Sequence, residues 1–426
     1  EWIIGWGYDR NGLAEGRDIT REDLDAAFPD HKVMLMHVSL HGAVLNSKAL
    51  EWAGVGADTP TPPGGVIVRM PDGKTPAGLL METAFLPVFA KMPQPDQAEM
   101  LELMKPGQMT YASNGYTLAN EGYTHAKDIR LLQKAGAEGR LFIDIVALPG
   151  FSEMDQWFGK PEFPIGQWKD HLKLAGIKIT QDGSVQGKTA NFLEPMLTGG
   201  PQGQKNWRGS STMPYEQFAK LFDTAHRAGL QIFVHANGDA TIQQVIQAAE
   251  ASGLKAGDDS RTIVIHSQMQ HPEDIARYAA LGLTPSYFTN HTYFWGDVHR
   301  RNIGEQRAAF ISPMKAAMDA GLKATNHSDF NVTPLDPFFI LWSSMARTTR
   351  SGFVLGPDQR IDAYRGLQAL TINAAWEYRE ESRRGSIEPG KLADFVIVSG
   401  DPLKTPVEQI RDLKAVETIK EELRSR

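Results

Sequence analysis

The 426-residue chain has no cysteine. Disulfides and thiolate ligands are therefore excluded, and any bound metal must be held by nitrogen and oxygen. There is no excess of positive charge. Lys and Arg number 44 against 51 Asp and Glu, the net charge is −7, and no basic tract occurs. That balance argues against nucleic acid and against anionic membrane surfaces as partners. No apolar run approaches the ~20 residues that a membrane helix needs. No His-x-His pair occurs either, although the chain holds 12 histidines. The chain also starts without Met, inside the structured-looking stretch EWIIGWGYD. We read it as lacking its native N-terminus, which leaves cytoplasm and periplasm equally open.

What is present is a recurring pattern. Leu230 to Asp239, LQIFVHANGD, reads as a buried strand that ends in His235 and is broken by Gly238. A helix with apolar Ile242, Val245, Ile246 and Ala249 follows. A short continuous apolar run suits a parallel strand buried on both faces, and in βα proteins the chemistry sits at the carboxyl ends of such strands. The pattern returns in RTIVIHSQM, ending in His266, and in GLKATNHSDF, with His327 and Asp329. It appears earlier in AGIKITQDGS, with Lys178 inside the run and Asp182 at its end. Successive strand-like segments thus place metal-competent or acid/base side chains near the same end. The bland alternatives are a Lys178–Asp182 ion pair, core histidines and an Asp329 turn cap.

Taken in order, residues 1–105 read as an elaboration placed early in the main domain. They include a helix over Thr20 to Phe28, a strand over His31 to Ser39 and a helix over His41 to Leu50. A hairpin around Pro71 to Gly73 and a mostly helical stretch over Met81 to Met104 complete them. From 106 to 380 strands alternate with helices, which implies a parallel α/β architecture. Seven strands are counted, near Tyr123, Phe142, Ile177, Ile232, Ile263, Thr284 and Ala324. A (β/α)8 barrel needs eight, so the first strand is expected to be missing. A doubly wound open sheet is the competing fold, but its ligands would cluster at one switch point. Pro214 to Gly229 is the clearest helix, and Asn191 to Gly209 reads as a mobile loop near the site. His271 precedes Pro272 and reads as a helix start. Tyr287 to Asp297, YFTNHTYFWGD, is dense in aromatics and reads either as a substrate wall, with His291 touching substrate, or as core. Residues 381–426 carry GSIEPGKLADFVIV, a small β element outside the barrel.

These motifs resemble a known family. GSIEPGKLADFVIVSGDPL is similar to the C-terminal signature of the amidohydrolase superfamily, where the chain returns to a small β-sandwich. HANGD, IHSQ and NHSDFNVTPLDP resemble the strand-end motifs of its metal-dependent (β/α)8 hydrolases. GWGYD, HGAVLNSKAL, GLLMETA and IKITQDGSVQGKTA look like the branch that contains N-substituted formamide deformylase. The resemblance implies a TIM-like barrel, here lacking its first strand, with a small β-sandwich element from the C-terminus. It implies metal ligation by Lys178 as a carboxylysine, His235, His266 and Asp329, with Asp329 as general base. The family's His-x-His pair on strand one is not found, in keeping with the missing strand.

The chemistry fits these residue types. A divalent cation lowers the pKa of water from ~16 to ~7. Imidazole and carboxylate suit zinc, and also iron or manganese, as one or two ions. An unmodified lysine is protonated at neutral pH, whereas a carbamate on Lys178 would offer anionic oxygen. The expectation is a metal-dependent amidohydrolase that cleaves a non-peptide C–N bond through an activated water. His41, His291 and His327 are candidate substrate contacts. The partner is a small-molecule amide, and a homodimer is compatible. The alternatives are a same-fold esterase or cyclic amidase, or a metal-free, inactive binding protein.

Overall fold

The computed structural model describes residues 1–93, 95–421 and 423–425, the last three through their backbone. The first block is a five-stranded mixed sheet. Its strands are β1 (Trp2–Tyr8), β2 (Lys32–His37), β3 (Gly42–Leu45), β4 (Gly65–Arg69) and β5 (Pro76–Glu82), in the order β1-β2-β3-β5-β4. β1 and β2 are parallel and the remaining pairs antiparallel. The hairpin expected around Pro71 to Gly73 joins β4 and β5, and a helix fills Arg21–Ala27 behind a Thr20–Asp23 capping box.

The expected helix over His41 to Leu50 is half wrong. Ala43, Val44 and Leu45 form a central strand against Met36, Leu35 and Met34, and the helix spans Ser47–Ala53. Buried Asn46 makes the switch. Its side-chain oxygen accepts from Val33 N and from Ala49 N, both at 3.0 Å, stitching strand to helix start. The stretch over Met81 to Met104 likewise begins as strand, through Glu82. Helices Leu86–Ala90 and Gln97–Ser113 follow, and the second runs on through Pro106.

The second block is the parallel series. β6 (Leu118–Thr124) pairs with β7 (Asp144–Pro149), which also pairs with β9 (Leu172–Leu174) in a hairpin with β8 (Trp168–Lys169). A parallel bridge from Gly150 to Lys178 carries the series on to β10 (Gly176–Thr180). From there β11 (Gln231–Ala236), β12 (Thr262–His266), β13 (Leu283–Tyr287) and β14 (Thr325–Asn326) run in parallel register. β6, β7 and β10 to β14 are the seven strands read from the sequence. Ring closure is not observed: among the described residues β6 pairs only with β7, and β14 only with β13.

Both faces of the series are apolar, as the continuous runs require. Ile177, Ile232, Val234 and Val264 pack against Phe218, Phe222, Ile242 and Val245 of the covering helices. On the other face Val146, Leu148, Phe233 and Ile263 form a second cluster, joined by Trp376 and Tyr378. All six residues of β11 are buried. The segment 191–209, expected to be mobile, is anchored instead: Phe192, Met196 and Trp207 pack on Met269, Ile303 and Leu355.

The C-terminal block is an antiparallel sheet of β15 (Phe395–Val398), β16 (Ala415–Lys420) and β17 (Leu423–Ser425). Its three strands pair only with one another among the described residues. Buried ion pairs fasten this block to the strands. Asp144 on β7 meets Arg384 at 2.7 Å and Lys420 at 3.1 Å, and Lys173 on β9 meets Glu380 at 2.6 Å. No helix among the described residues is long and apolar enough to cross a membrane.

Candidate metal centre and substrate cavity

Parallel pairing brings the carboxyl ends of β10 to β14 side by side. Thr180 lies beside His235, Ala236 beside His266, and Tyr287 beside Asn326. His266 closes β12 with φ 71°, and Asp329 follows β14 with φ 50°. Non-glycine residues in this left-handed region each carry a cost of order 1 kcal/mol or more, which surrounding contacts must hold in place. Lys178, His235, His266, His327 and Asp329 all line one cavity of about 1480 Å³, and His41 from the N-terminal sheet joins them.

Three of these residues lie close enough to share an ion: donor atoms of His266, His327 and Asp329 all fall within 4.8 Å of one another. His266 Nδ1 is 3.1 Å from His327 Nε2. The His235 ring stands 4.5 Å from the His266 ring, edge on. Burial pushes His235 and His266 down and His327 down to about 4, which favours the neutral imidazole, the form that ligates metals. Asp329 is exposed. Burial lowers Lys178 to about 8, against the opposing pull of Asp329, Glu121 and Glu377.

Asp182 does not pair with Lys178. It is fully buried, and its carboxylate accepts from the backbone N–H groups of Asn191 (3.2 Å), Asn237 (2.9 Å) and Gly238 (2.8 Å). It thereby clamps the turns that follow β10 and β11, and one oxygen faces His235 Nδ1 at 3.3 Å. That last approach is electrostatic, since no aligned hydrogen bond reaches His235 Nδ1. Gly238 is required at this crossing, because a Cβ there would sit 1.9 Å from Asn191 O.

His41 is held by Glu82 of β5, Nδ1 to Oε2 at 3.0 Å, and its ring lies 5.5 Å from that of His235. Burial works against the charged imidazole, but the Glu82 carboxylate outweighs it and His41 is raised; Glu82 is correspondingly lowered. His291 is not brought to the cavity. It is buried beside Phe288, Trp295 and His299, with Nδ1 3.2 Å from His299 Nε2. The aromatic segment around it is core: Tyr293 and Phe294 pack on Phe339, away from the cavity. His271 does cap the helix Pro272–Leu281.

Glu82, Glu121 and Glu377 were not singled out from the sequence, yet all three line the cavity. Glu377 lies beneath the site. Burial pushes its carboxyl up to about 7, opposed by hydrogen bonds from Thr325 and Tyr378 and by the charge of Lys178. The signal for Glu82 was present in the GLLMETA stretch. Glu377 sits in an ordinary helical stretch, NAAWEYRE, with nothing local to mark it.

The donor set suits a divalent cation. It offers several neutral imidazoles and a carboxylate on one side of a single cavity, and no cysteine. Comparison with known proteins agrees in kind. The amidohydrolase family model matches residues 1–423. N-substituted formamide deformylase of Arthrobacter pascens is 26% identical over 424 residues, which is 98% of this chain and 78% of that protein. Protein LONG AFTER FAR-RED 3 of Arabidopsis thaliana is 27% identical over 93% of this chain and 69% of its own length. The crystal structure of a metal-dependent hydrolase from Pyrococcus horikoshii OT3 superposes with TM-score 0.74 at 21% identity, covering 95% of this chain and 78% of that one. That last likeness is one of fold.

Proposed function

Because the chain belongs to the amidohydrolase family, we propose that it is a metal-dependent hydrolase that cleaves a non-peptide amide C–N bond of a small molecule. In this reading the parallel strands are the wall of a (β/α)8-type barrel carried by residues 106–380. Residues 1–105 are an elaboration inserted early in it, and 381–426 are the C-terminal part of a small β-sandwich domain. Lys178, as a carbamate, with His235, His266 and Asp329 would hold a divalent cation, zinc in the first place, with iron or manganese also compatible. When bound, the cation supplies Lewis-acid polarisation of the scissile carbonyl and a lower pKa for water.

The chain's own groups do the rest. Asp329, open to the cavity, accepts a proton from the attacking water and returns it to the leaving nitrogen as the C–O bond forms and the C–N bond breaks. The products are a carboxylic acid and an amine. His41, backed by Glu82, donates a hydrogen bond to the substrate's acyl oxygen. Leu86, Phe89, Tyr111, Tyr123, Phe151 and Phe330 line the outer cavity and favour an apolar acyl group or N-substituent. The lowered Lys178 gives a larger neutral-amine fraction for reaction with CO2.

The observation that carries this reading is the convergence of Lys178, His235, His266 and Asp329 on one cavity. It is tested by metal analysis of the purified protein and by product analysis on a panel of N-substituted amides, cyclic amides and esters. Stoichiometric metal and release of amine and acid are expected. Protein without stoichiometric metal that hydrolyses nothing with added Zn²⁺ would sink the reading. Turnover of esters alone would move it to the esterase alternative.

A further inference from the structure

The turn that leads from β2 to β3 holds a hydroxyl whose proton is already committed. Ser39 lines the cavity together with His41, and Ser39 and His37 are both buried. Ser39 Oγ lies 2.7 Å from His37 Nδ1. The backbone N–H of Ser39 donates to the same Nδ1 at 3.2 Å. A backbone N–H can only donate, so Nδ1 is the bare nitrogen of the His37 ring and the proton sits on Nε2. Asp9 supports that assignment. Its Oδ1 lies 4.0 Å from His37 Nε2, too far for a hydrogen bond but near enough to favour an N–H there. Asp9 is itself held by Trp295 Nε1 at 2.6 Å and by Asn11 N at 2.9 Å. Burial lowers His37 against the pull of Asp9, which favours the neutral ring.

With Nδ1 bare, the Ser39 O–H donates to it. One lone pair of Oγ accepts from the backbone N–H of His41 at 3.4 Å. The hydroxyl's one proton is therefore turned inward, and a lone pair is what it has left to offer a substrate. We propose that Ser39 is a specificity-determining acceptor that receives the N–H of the substrate's amide nitrogen, so that primary and secondary amides are preferred over tertiary amides and esters. A tertiary nitrogen or an ester oxygen brings no proton to that lone pair, and a site built for an N–H rejects analogues that lack it. The turn itself is closed by Leu40 N donating to His37 O at 2.9 Å, with Leu40 at φ 61°. The inference rests on the amide-cleaving reading and narrows its substrate class.

The test uses N-benzylacetamide and N-benzyl-N-methylacetamide as probes, with the whole chain and Zn²⁺. The quantity read is the ratio of kcat/KM for the two amides. Wild type should favour the N–H amide. Ser39→Ala should lower that ratio roughly 3–10-fold, the net contribution of one neutral hydrogen bond, and Ser39→Thr should restore it. A purely steric preference, or a Ser39 that only shapes the turn, would leave the ratio unmoved in Ser39→Ala. Nitrogen-15 NMR of histidine-labelled, metal-free protein reads the His37 tautomer, with His37→Gln assigning the resonance, and Nε2–H is expected. The unfolding midpoint shows that each variant folds. An unchanged ratio in Ser39→Ala, or His37 found as Nδ1–H, would overturn the inference alone. Hydrolysis of neither amide would sink the amide-cleaving reading and the inference with it.

Discussion

Replacing Asp182 by Asn changes one atom of a fully buried side chain that holds two turns of the site at once. The carboxylate accepts from three backbone N–H groups at 2.8–3.2 Å. Hydrogen bonds to a charged acceptor are worth about 1.5–3 kcal/mol each. Asn keeps one acceptor oxygen, which serves Asn191 and Gly238 best if it takes the Oδ2 position. The amide NH2 then confronts the N–H of Asn237, whose bond is lost and whose donor is buried without a partner. The two surviving bonds fall from charged to neutral strength. The expected destabilisation is about 2–4 kcal/mol. The same NH2 points its positive end toward His235 Nδ1, where the carboxylate now places a negative oxygen at 3.3 Å, so metal affinity should fall roughly 10–100-fold as well. Denaturant unfolding in chelator gives the first quantity and Zn²⁺ titration the second. A variant within 0.5 kcal/mol of wild type, on the order of ordinary surface substitutions, would refute the clamp. A destabilised variant with unaltered metal affinity would refute its link to His235.

Asp144→Asn tests the fastening of the C-terminal sheet. Burial alone would raise this carboxyl, but Arg384, Lys420 and His171 outweigh it and hold it below the usual range. Its stabilisation is therefore complete above the ordinary carboxylate range and is lost as pH falls through the depressed value. The variant should cost about 3–5 kcal/mol at neutral pH, with the gap closing in acid, as read from unfolding midpoints across pH. His299→Ala should lower stability by about 2 kcal/mol or more while leaving kcat/KM within about twofold, because the His291–His299 pair is buried off the cavity. Zinc at a hundredfold excess over Kd should raise unfolding stability by about 2.7 kcal/mol, and a chelator should abolish that gain. Calorimetry with and without metal decides it.

The strands were legible because burial on both faces writes itself as an unbroken apolar run, and β11 is the clearest case. The helix over Tyr215–Arg227 was legible for the complementary reason, one apolar face between Pro214 and Gly229. Residues at strand ends could be found from the same pattern, which is why Lys178, His235, His266 and Asp329 were in view. Partners set by tertiary crossing were not. Asp182 stands beside Lys178 in the sequence, but its carboxylate turns to the Asn237–Gly238 backbone, a contact that no local pattern encodes. Glu377 reaches the site only because the helix Ile372–Glu377 packs against β14. Ala43 to Leu45 read as helix because three small or branched apolar residues satisfy either period, and only pairing with Met34 to Met36 decides between them. The Tyr287 to Asp297 aromatics were ambiguous for a related reason: composition does not say which face of a helix meets a cavity.

The measurement that bears most directly on the central claim is an anomalous difference map from crystals grown with Zn²⁺, recorded at the zinc edge. The convergence of strand-end side chains predicts a peak inside the cavity, about 2.0–2.2 Å from imidazole nitrogen of His266 and from its carboxylate and histidine neighbours. A map with no peak there, or with zinc only at surface histidines such as His226, would contradict it.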